Sequence, residues 1–455
     1  MLRSSSLLLK TFNRNNSIII GRNFGREIRS KSTCVDDELS ESSTVAEESK
    51  KKLPVSFEDV STSYYRIRSG ILRTPCDYSS ALSELCDAEV YIKKDFAQKS
   101  GSFKERGARN ALLQLSPEQK KIGVVAASAG NHALALAYHG RDLGIPVTCV
   151  MPIIAPMTKV ENCKKFGAHV ILEGAHIGES KEYAVNQFPE KRYINGYDDP
   201  EIVAGAGSMA IEILEEIPDT DAIIIPVGGA GLIAGMSLAA KTLSPNCEVI
   251  GVEPENVASF KAALAAGKPV HEYKAGTLAD GLAVPIVGPT AFEVARHYVD
   301  YTCLVDEALI SIAVLRCLEI EKIVVEGGGA SSLAAVLPGG PLYGKFKGKK
   351  IVLPLCGGNI DTTVLGRIID RGLAADMRMV RFTATVSDRP GGIAQLSRDM
   401  ADAGLSIKDI YHERAWLRSR VDQVQVKCVV ETTGREHAQT ALAYLKEKDY
   451  DIQQW

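Results

Sequence analysis

The chain has 455 residues, 45% of them hydrophobic and 24% charged, enough to bury more than one core and so to build several compact units. A net charge of -3 gives no basis for nucleic-acid binding, and no apolar run approaches membrane-spanning length. The 10 cysteines include no Cys-x-x-Cys pair and the 8 histidines no His-x-x-x-His spacing, which argues against a zinc site or a disulfide frame and for reduced, independent thiols.

Residues 1–26 contain no Asp or Glu but carry Arg3, Lys10, Arg14, Arg22 and Arg26 among serines and apolar residues. That is the composition of a mitochondrial transit peptide, which predicts a location in the mitochondrial matrix; a basic tail on a cytoplasmic protein is the alternative. Residues 40–52, rich in Ser, Glu and Lys, read as a solvated linker, so 1–52 stands apart from the folded units.

The first segment with a chemical signature is 99–110, which places Lys104 behind Phe103 at the start of an apolar-periodic helix. Ser102 and Glu105 have the spacing of a capping box, which predicts that the helix begins there. A solvated first-turn lysine is the plain alternative. At 128–133 an apolar strand runs into Ser128, Ala129, Gly130, Asn131 and His132 and then into a helical pattern, so side-chain groups lie beside the unpaired N–H donors of a helix N-terminus, where an anion can sit. Apolar runs at 90–96, 123–127, 147–151 and 169–172 alternate with helices and predict a small parallel α/β unit over about 90–188, inserted in a larger unit.

That larger unit continues from Tyr193 to Leu373. Within it, 222–235 reads as a buried strand and a glycine-rich turn into a helix, which can offer backbone N–H groups to a phosphate. Gly229, Gly231 and Ala234 also fit the dinucleotide fingerprint in its Gly-x-Gly-x-x-Ala form, with Glu253 where a ribose-binding acid belongs. A last apolar strand, 352–355, ends on Cys356, Gly357, Gly358 and Asn359. Ligands of open parallel sheets collect at the carboxyl ends of strands, so lysine, phosphate turn and thiol can face one crevice.

After 373 the pattern changes. An alternating strand at 379–386, a turn at 388–392 and a helix at 393–403 precede strands at 406–414 and 421–431 and a helix at 436–446. This order, closed by a short final strand, predicts a ferredoxin-like α+β module over 378–455.

Taken together, Ser102-Phe103-Lys104-x-Arg106-Gly107, Ser128-Ala129-Gly130-Asn131-His132, Gly228-Gly229-Ala230-Gly231-Leu232, Ala279-Asp280-Gly281, Glu326-Gly327-Gly328-Gly329-Ala330 and Cys356-Gly357-Gly358-Asn359 resemble the motifs of the threonine/serine dehydratase branch of the fold-type II pyridoxal-phosphate enzymes. The resemblance covers about 53–373 and implies the α/β fold of that class, tryptophan synthase beta-like, with two parallel open-sheet units, and the cofactor pyridoxal 5'-phosphate. It implies Lys104 as the Schiff-base lysine and base, and Ser128, Ala129, Gly130, Asn131 and His132 as the substrate-carboxylate loop, with Asn131 also at the cofactor's ring oxygen. It further implies Gly228, Gly229, Ala230, Gly231 and Leu232 as the phosphate loop, Phe103 and Glu326 at the cofactor, and Cys356 at the pyridine nitrogen. The family usually has a fourth glycine where this chain has Ala230. The C-terminal module resembles an ACT-like regulatory domain, with Asp388, Gly391 and Gly392 similar to its effector turn; an assembly element without a ligand is the alternative. A homo-oligomer, dimer or tetramer, is implied as well.

The chemistry follows from residue types. A neutral thiol at the ring nitrogen does not stabilise a protonated ring as a carboxylate would, which favours loss of a β-leaving group over transamination. The expected reaction is therefore elimination from L-threonine or L-serine to a 2-oxo acid and ammonia, with an amino acid as possible effector. Serine racemase with side elimination is the enzymatic alternative. Its relatives carry serine at position 129, able to deliver a proton to the opposite face of Cα, and alanine cannot. The racemases' cation pattern is incomplete, because Ser259 stands where it wants an acid, and no metal is predicted. A catalytically idle amino-acid sensor is the alternative from another class.

Overall fold

The computed structural model describes residues 52–414 and 422–454. The basic segment 1–26 and all but the last residue of the linker lie outside the described residues.

Among the described residues, fourteen strands form three sheets. The large sheet combines β1 (Cys76–Tyr78), β2 (Glu89–Lys93), β7 (Ala222–Pro226), β8 (Glu248–Pro254), β9 (Tyr301–Val305) and β10 (Lys350–Pro354) in the order β1-β2-β10-β7-β8-β9, parallel except for β1. Its strands are apolar on both faces because both are covered. Ile223, Ile225 and Val249 enter one core with the helices Pro200–Glu216 and Gly231–Leu243, while Ile224, Ile250 and Leu353 enter another with Glu307–Arg316 and Gly327–Val336.

The small sheet contains β3 (Val124–Ala127), β4 (Val147–Met151), β5 (His169–Leu172) and β6 (Arg192–Tyr193), all parallel in the order β5-β4-β3-β6. Two expectations are corrected here. The run 90–96 does not belong to the small unit: β2 pairs with β10 and β1 of the large sheet, and Asp95–Ala97 is a short 3-10 helix. The small sheet also takes its last strand from beyond 188. A short apolar run announces a buried strand but not its partner, and here the partner lies at Lys350–Pro354.

The helix Lys104–Leu113 is fastened beneath the site by a buried charge cluster. The guanidinium of Arg106 holds both oxygens of Asp95 at 2.8 Å and both of Glu212 at 2.7 and 2.8 Å, and Lys93 pairs with Glu212 at 2.7 Å. Lys93, Asp95 and Arg106 are fully buried, so each charge needs its partners.

The C-terminal module is an antiparallel sheet of β11 (Met379–Ser387), β12 (Ser406–Glu413), β13 (Gln423–Glu431) and β14 (Asp451–Gln454), ordered β12-β13-β11-β14. Helices Gly392–Asp402 and Arg435–Glu447 cover one face, meeting Phe382, Ala384, Val424 and Val426. This is the predicted ferredoxin-like order, final strand included. Its first strand follows directly from the helix Thr362–Ala375, and the junction is held by Arg316 on Asp376 at 2.6 Å and Arg378 on Glu319 at 2.5 Å.

Candidate active site

Lys104 reaches its place through a backbone clasp. Phe103 N–H donates to Cys356 O at 2.9 Å and Gly358 N–H to Gly101 O at 3.0 Å, with Ser102 bridged to Gly357. The clasp brings the start of the lysine helix to the end of β10, so Lys104 and Cys356 line one cavity of about 460 Å³. The expected capping box does not form. Phe103 is already helical and acts as N-cap, Ser102 Oγ is buried without a partner among the described residues, and the Glu105 carboxylate accepts from Ser100 N–H and lies 3.1 Å from His139 Nε2. The clasp has set the backbone at Ser102, and it overrides the local signal.

The Lys104 ammonium donates to Gly196 O at 2.6 Å. Burial pulls its pKa down to about 8, against the opposing pull of Cys356 and Glu326. A lysine so placed reaches its neutral, nucleophilic form near neutral pH. Cys356 is the reverse case: burial raises its thiol well above the ordinary value, so the group is a neutral thiol, donating to Pro354 O at 3.3 Å.

Ser128, Ala129, Gly130, Asn131 and His132 form the turn from β3 into the helix Asn131–Leu143 and all line the cavity. The N–H groups of Ala129, Asn131 and His132 find no acceptor among the described residues, and the space beside the Gly130 Cα is open. That is a nest for an anion at a helix N-terminus. The imidazole of His132 is not part of it. Its Nε2 lies 3.1 Å from Ile194 O and must be the protonated nitrogen, while burial and Lys104 push its pKa down to about 3. His132 thus serves the turn through its backbone.

The second nest is Gly228, Gly229, Ala230, Gly231 and Leu232, between β7 and the helix Gly231–Leu243. Their N–H groups also lack protein acceptors among the described residues. Glycine is required by close approach: a Cβ on Gly229 would lie 2.2 Å from the Tyr197 ring, and one on Gly231 2.3 Å from Tyr197 O. Ala230, where the family usually has glycine, adopts the left-handed conformation with φ 70° and ψ -3°. The loop geometry is retained, and Ala230 bears the strain.

The dinucleotide reading fails on Glu253. Its buried carboxylate accepts from Phe260 N–H at 2.7 Å and Lys261 N–H at 2.9 Å, capping the helix Ser259–Ala266. Glu326 does reach the cavity. It accepts from Asn131 Nδ2 at 2.7 Å, and burial together with Asp280 raises its pKa to about 7. Asp280 itself pairs with Lys159 of the small unit at 2.9 Å.

Asn195, Gly196 and Tyr197 take part in the site, although sequence reasoning gave them no role, and so does Asn359, which the sequence marked only as the last residue of the Cys356–Asn359 motif. Asn195 Oδ1 accepts from Tyr197 and Asp198 N–H and so folds the turn that offers Gly196 O to the lysine. The signal available was the Asn-Gly turn pair after a short strand.

Two outcomes follow. In the cofactor-free protein, modification of Lys104 by an amine-directed acylating reagent, followed by peptide mapping across pH, should show a midpoint near 8 rather than the 10.5 of an ordinary lysine. Ala230→Gly should raise the thermal midpoint: relief of about 1–2 kcal/mol of left-handed strain exceeds glycine's added chain entropy, about 0.5–1 kcal/mol.

The arrangement fits pyridoxal phosphate: a nest for its phosphate, a second nest for a substrate carboxylate, an amine between them, a carboxylate and a neutral thiol in one cavity. Residues 67–357 match the profile of the pyridoxal-phosphate dependent enzymes. The chain is 39% identical to the L-threonine ammonia-lyase of Thermotoga maritima over 401 residues, 88% of this chain and 99% of that one, and 37% identical to the catabolic L-threonine dehydratase TdcB of Escherichia coli, with 70% and 96% covered. Among solved structures, the processed threonine deaminase isoform 2 of Solanum lycopersicum superposes with a TM-score of 0.65 at 33% identity, covering 69% of this chain and 91% of that one. Maize serine racemase gives 0.65 at 33%, covering 70% and 98%. The chain is a member of the pyridoxal-phosphate-dependent enzyme family, in its fold-type II class.

Proposed function

We propose that this protein is an L-threonine ammonia-lyase that also accepts L-serine, releasing ammonia and a 2-oxo acid. The observation that carries the reading is Lys104, held on Gly196 O in a cavity shared with two anion nests and the neutral thiol of Cys356. Threonine ammonia-lyases among the relatives support the substrate class.

Bound in this cavity, pyridoxal phosphate supplies the electron sink for cleavage at Cα. The chain's residues do the rest. The N–H groups of Ala129, Asn131 and His132 hold the substrate carboxylate, and those of Gly228, Gly229, Ala230, Gly231 and Leu232 hold the phosphate. Lys104, with its lowered pKa, is the amine that would hold the cofactor and the base placed to take the Cα proton. Cys356 presents no charge, so elimination is favoured over transamination. The pair of Lys159 with Asp280 spans the small unit and the cavity rim, where closure excludes water.

The serine racemases among the structural neighbours supply the second reading, and Ala129, lining the cavity without a hydroxyl, weighs against it. Chiral chromatography of an L-serine reaction should show ammonia and 2-oxo acid with little D-serine, and Ala129→Ser should raise the racemised share. Racemisation faster than elimination in the wild type overturns the assignment. Borohydride should fix the cofactor to Lys104, and Lys104→Ala should abolish both that link and the activity.

The C-terminal module reads as an ACT-like regulatory domain. At its turn Asp388 pairs with Arg414 at 2.8 Å, Gly391 is left-handed with φ 101°, and a Cβ on Gly392 would lie 2.1 Å from Ser387 O. Amino acids screened at fixed substrate should therefore alter the activity of the full-length enzyme, and Gly392→Val should lose that response. No response in the wild type, or equal response in both, makes the module an assembly element. The composition of 1–26 supports a mitochondrial address, with the cytoplasm as the location if the segment is only a basic tail.

A further inference from the structure

We propose that Asn359 is a positioning residue: it fixes which end of the Asn131 amide faces Glu326, and so presents Asn131 to the active site as a donor. The argument starts at a backbone carbonyl. Asn359 Nδ2 lies 2.7 Å from Ser100 O, which can only accept, so this end of the Asn359 amide is its NH₂ group. The second hydrogen of the same nitrogen reaches Asn131 Oδ1 at 2.9 Å. With its oxygen engaged, Asn131 turns its own NH₂ group to Glu326 Oε1 at 2.7 Å. Polarity therefore passes from Ser100 O through two amides to a buried carboxylate, and reversing any member sets two acceptors against each other.

Asn359 has little room to leave this role. Gly101 is left-handed with φ 81°, and a Cβ there would lie 2.3 Å from Asn359 Oδ1. Glu326 is enclosed as well, since a Cβ on Gly357 would lie 2.3 Å from its Oε1. Its charged neighbours are Asp280, which opposes ionisation together with burial, and Lys159 and Lys104, which favour it. Asn131 is its one side-chain hydrogen-bond partner among the described residues. With pyridoxal phosphate bound as proposed above, a donor amide at Asn131 would favour the deprotonated form of the cofactor's ring oxygen.

The test reads Glu326 directly in cofactor-free protein, by the infrared carboxyl band of ¹³C-labelled glutamate, with Glu326→Gln identifying the signal. Asn359→Asp offers only acceptors when ionised, so Asn131 should turn over and face Glu326 with its oxygen; the expected result is an apparent proton affinity of Glu326 about tenfold higher. Asn359→Ser, which cannot span Ser100 O and Asn131 together, is the milder variant and should move it the same way by less. In Asn359→Asp with Glu326→Gln the Asn131–Glu326 end of the reversed chain is again satisfied, while the bond to Ser100 O is lost in Asn359→Asp alone and in the double variant alike, so the double variant should lose less melting temperature than the sum of the two singles. Titration of Glu326 at the wild-type position in both Asn359 variants, or a double variant whose loss of melting temperature equals the sum of the singles, overturns the proposal. Because the readouts need no cofactor, they are independent of whether the wild type deaminates threonine.

Discussion

The site depends on the backbone clasp between Gly101, Ser102 and Phe103 on one side and Cys356, Gly357 and Gly358 on the other. Two amide hydrogen bonds contribute modestly to stability, about 0.5–1.5 kcal/mol each, but these fix position. They place the lysine helix at the carboxyl end of β10, bring Ser100 and Asn359 within one bond, and leave Gly357 against Glu326. The glycines around it answer the same constraint, since a Cβ on Gly329 would lie 2.6 Å from Gly357 O. Beneath it, the Arg106 cluster joins the helix to Asp95 after β2 and to Glu212 on the helix Pro200–Glu216, so the lysine is held by the large unit from two directions.

Burial then tunes the groups the clasp assembles. The same removal of water that lowers Lys104 to about 8 raises Glu326 to about 7, and it lowers His132 to about 3. An amine and a carboxylate that each change charge near neutral pH therefore face one cavity, beside an imidazole and a thiol that stay neutral. Proton movement at Cα needs that contrast, and the two anion nests supply binding without adding a titrating group.

The small unit meets this centre, and the C-terminal module meets the large unit, through polar contacts. Lys159 reaches Asp280 at the cavity rim, and Thr158 Oγ1 donates to Asp361 Oδ2, the N-cap of the helix Thr362–Ala375, at 3.2 Å. The far end of that helix carries the ion pairs at Asp376 and Arg378. One helix is thus in touch with the small unit beside the cavity and with the start of the C-terminal sheet.

What the sequence determined by itself was local: Lys104 at a helix start, glycine turns between apolar strands and helix N-termini at 128–133 and 228–232, the strand end at Cys356, and the alternating pattern of the C-terminal module. Each is written in neighbouring residues, through periodicity and backbone freedom, and each stands in the structure. Tertiary structure decided everything that depends on partners distant in the chain. It sent the run at 90–96 to the large sheet, dissolved the capping box at Ser102, turned the His132 imidazole to Ile194, gave Lys104 the carbonyl of Gly196, and gave Asn359 its hold on Asn131. A hydrogen bond across 228 positions of chain leaves no trace in local pattern, because packing chooses between partners that are locally equivalent.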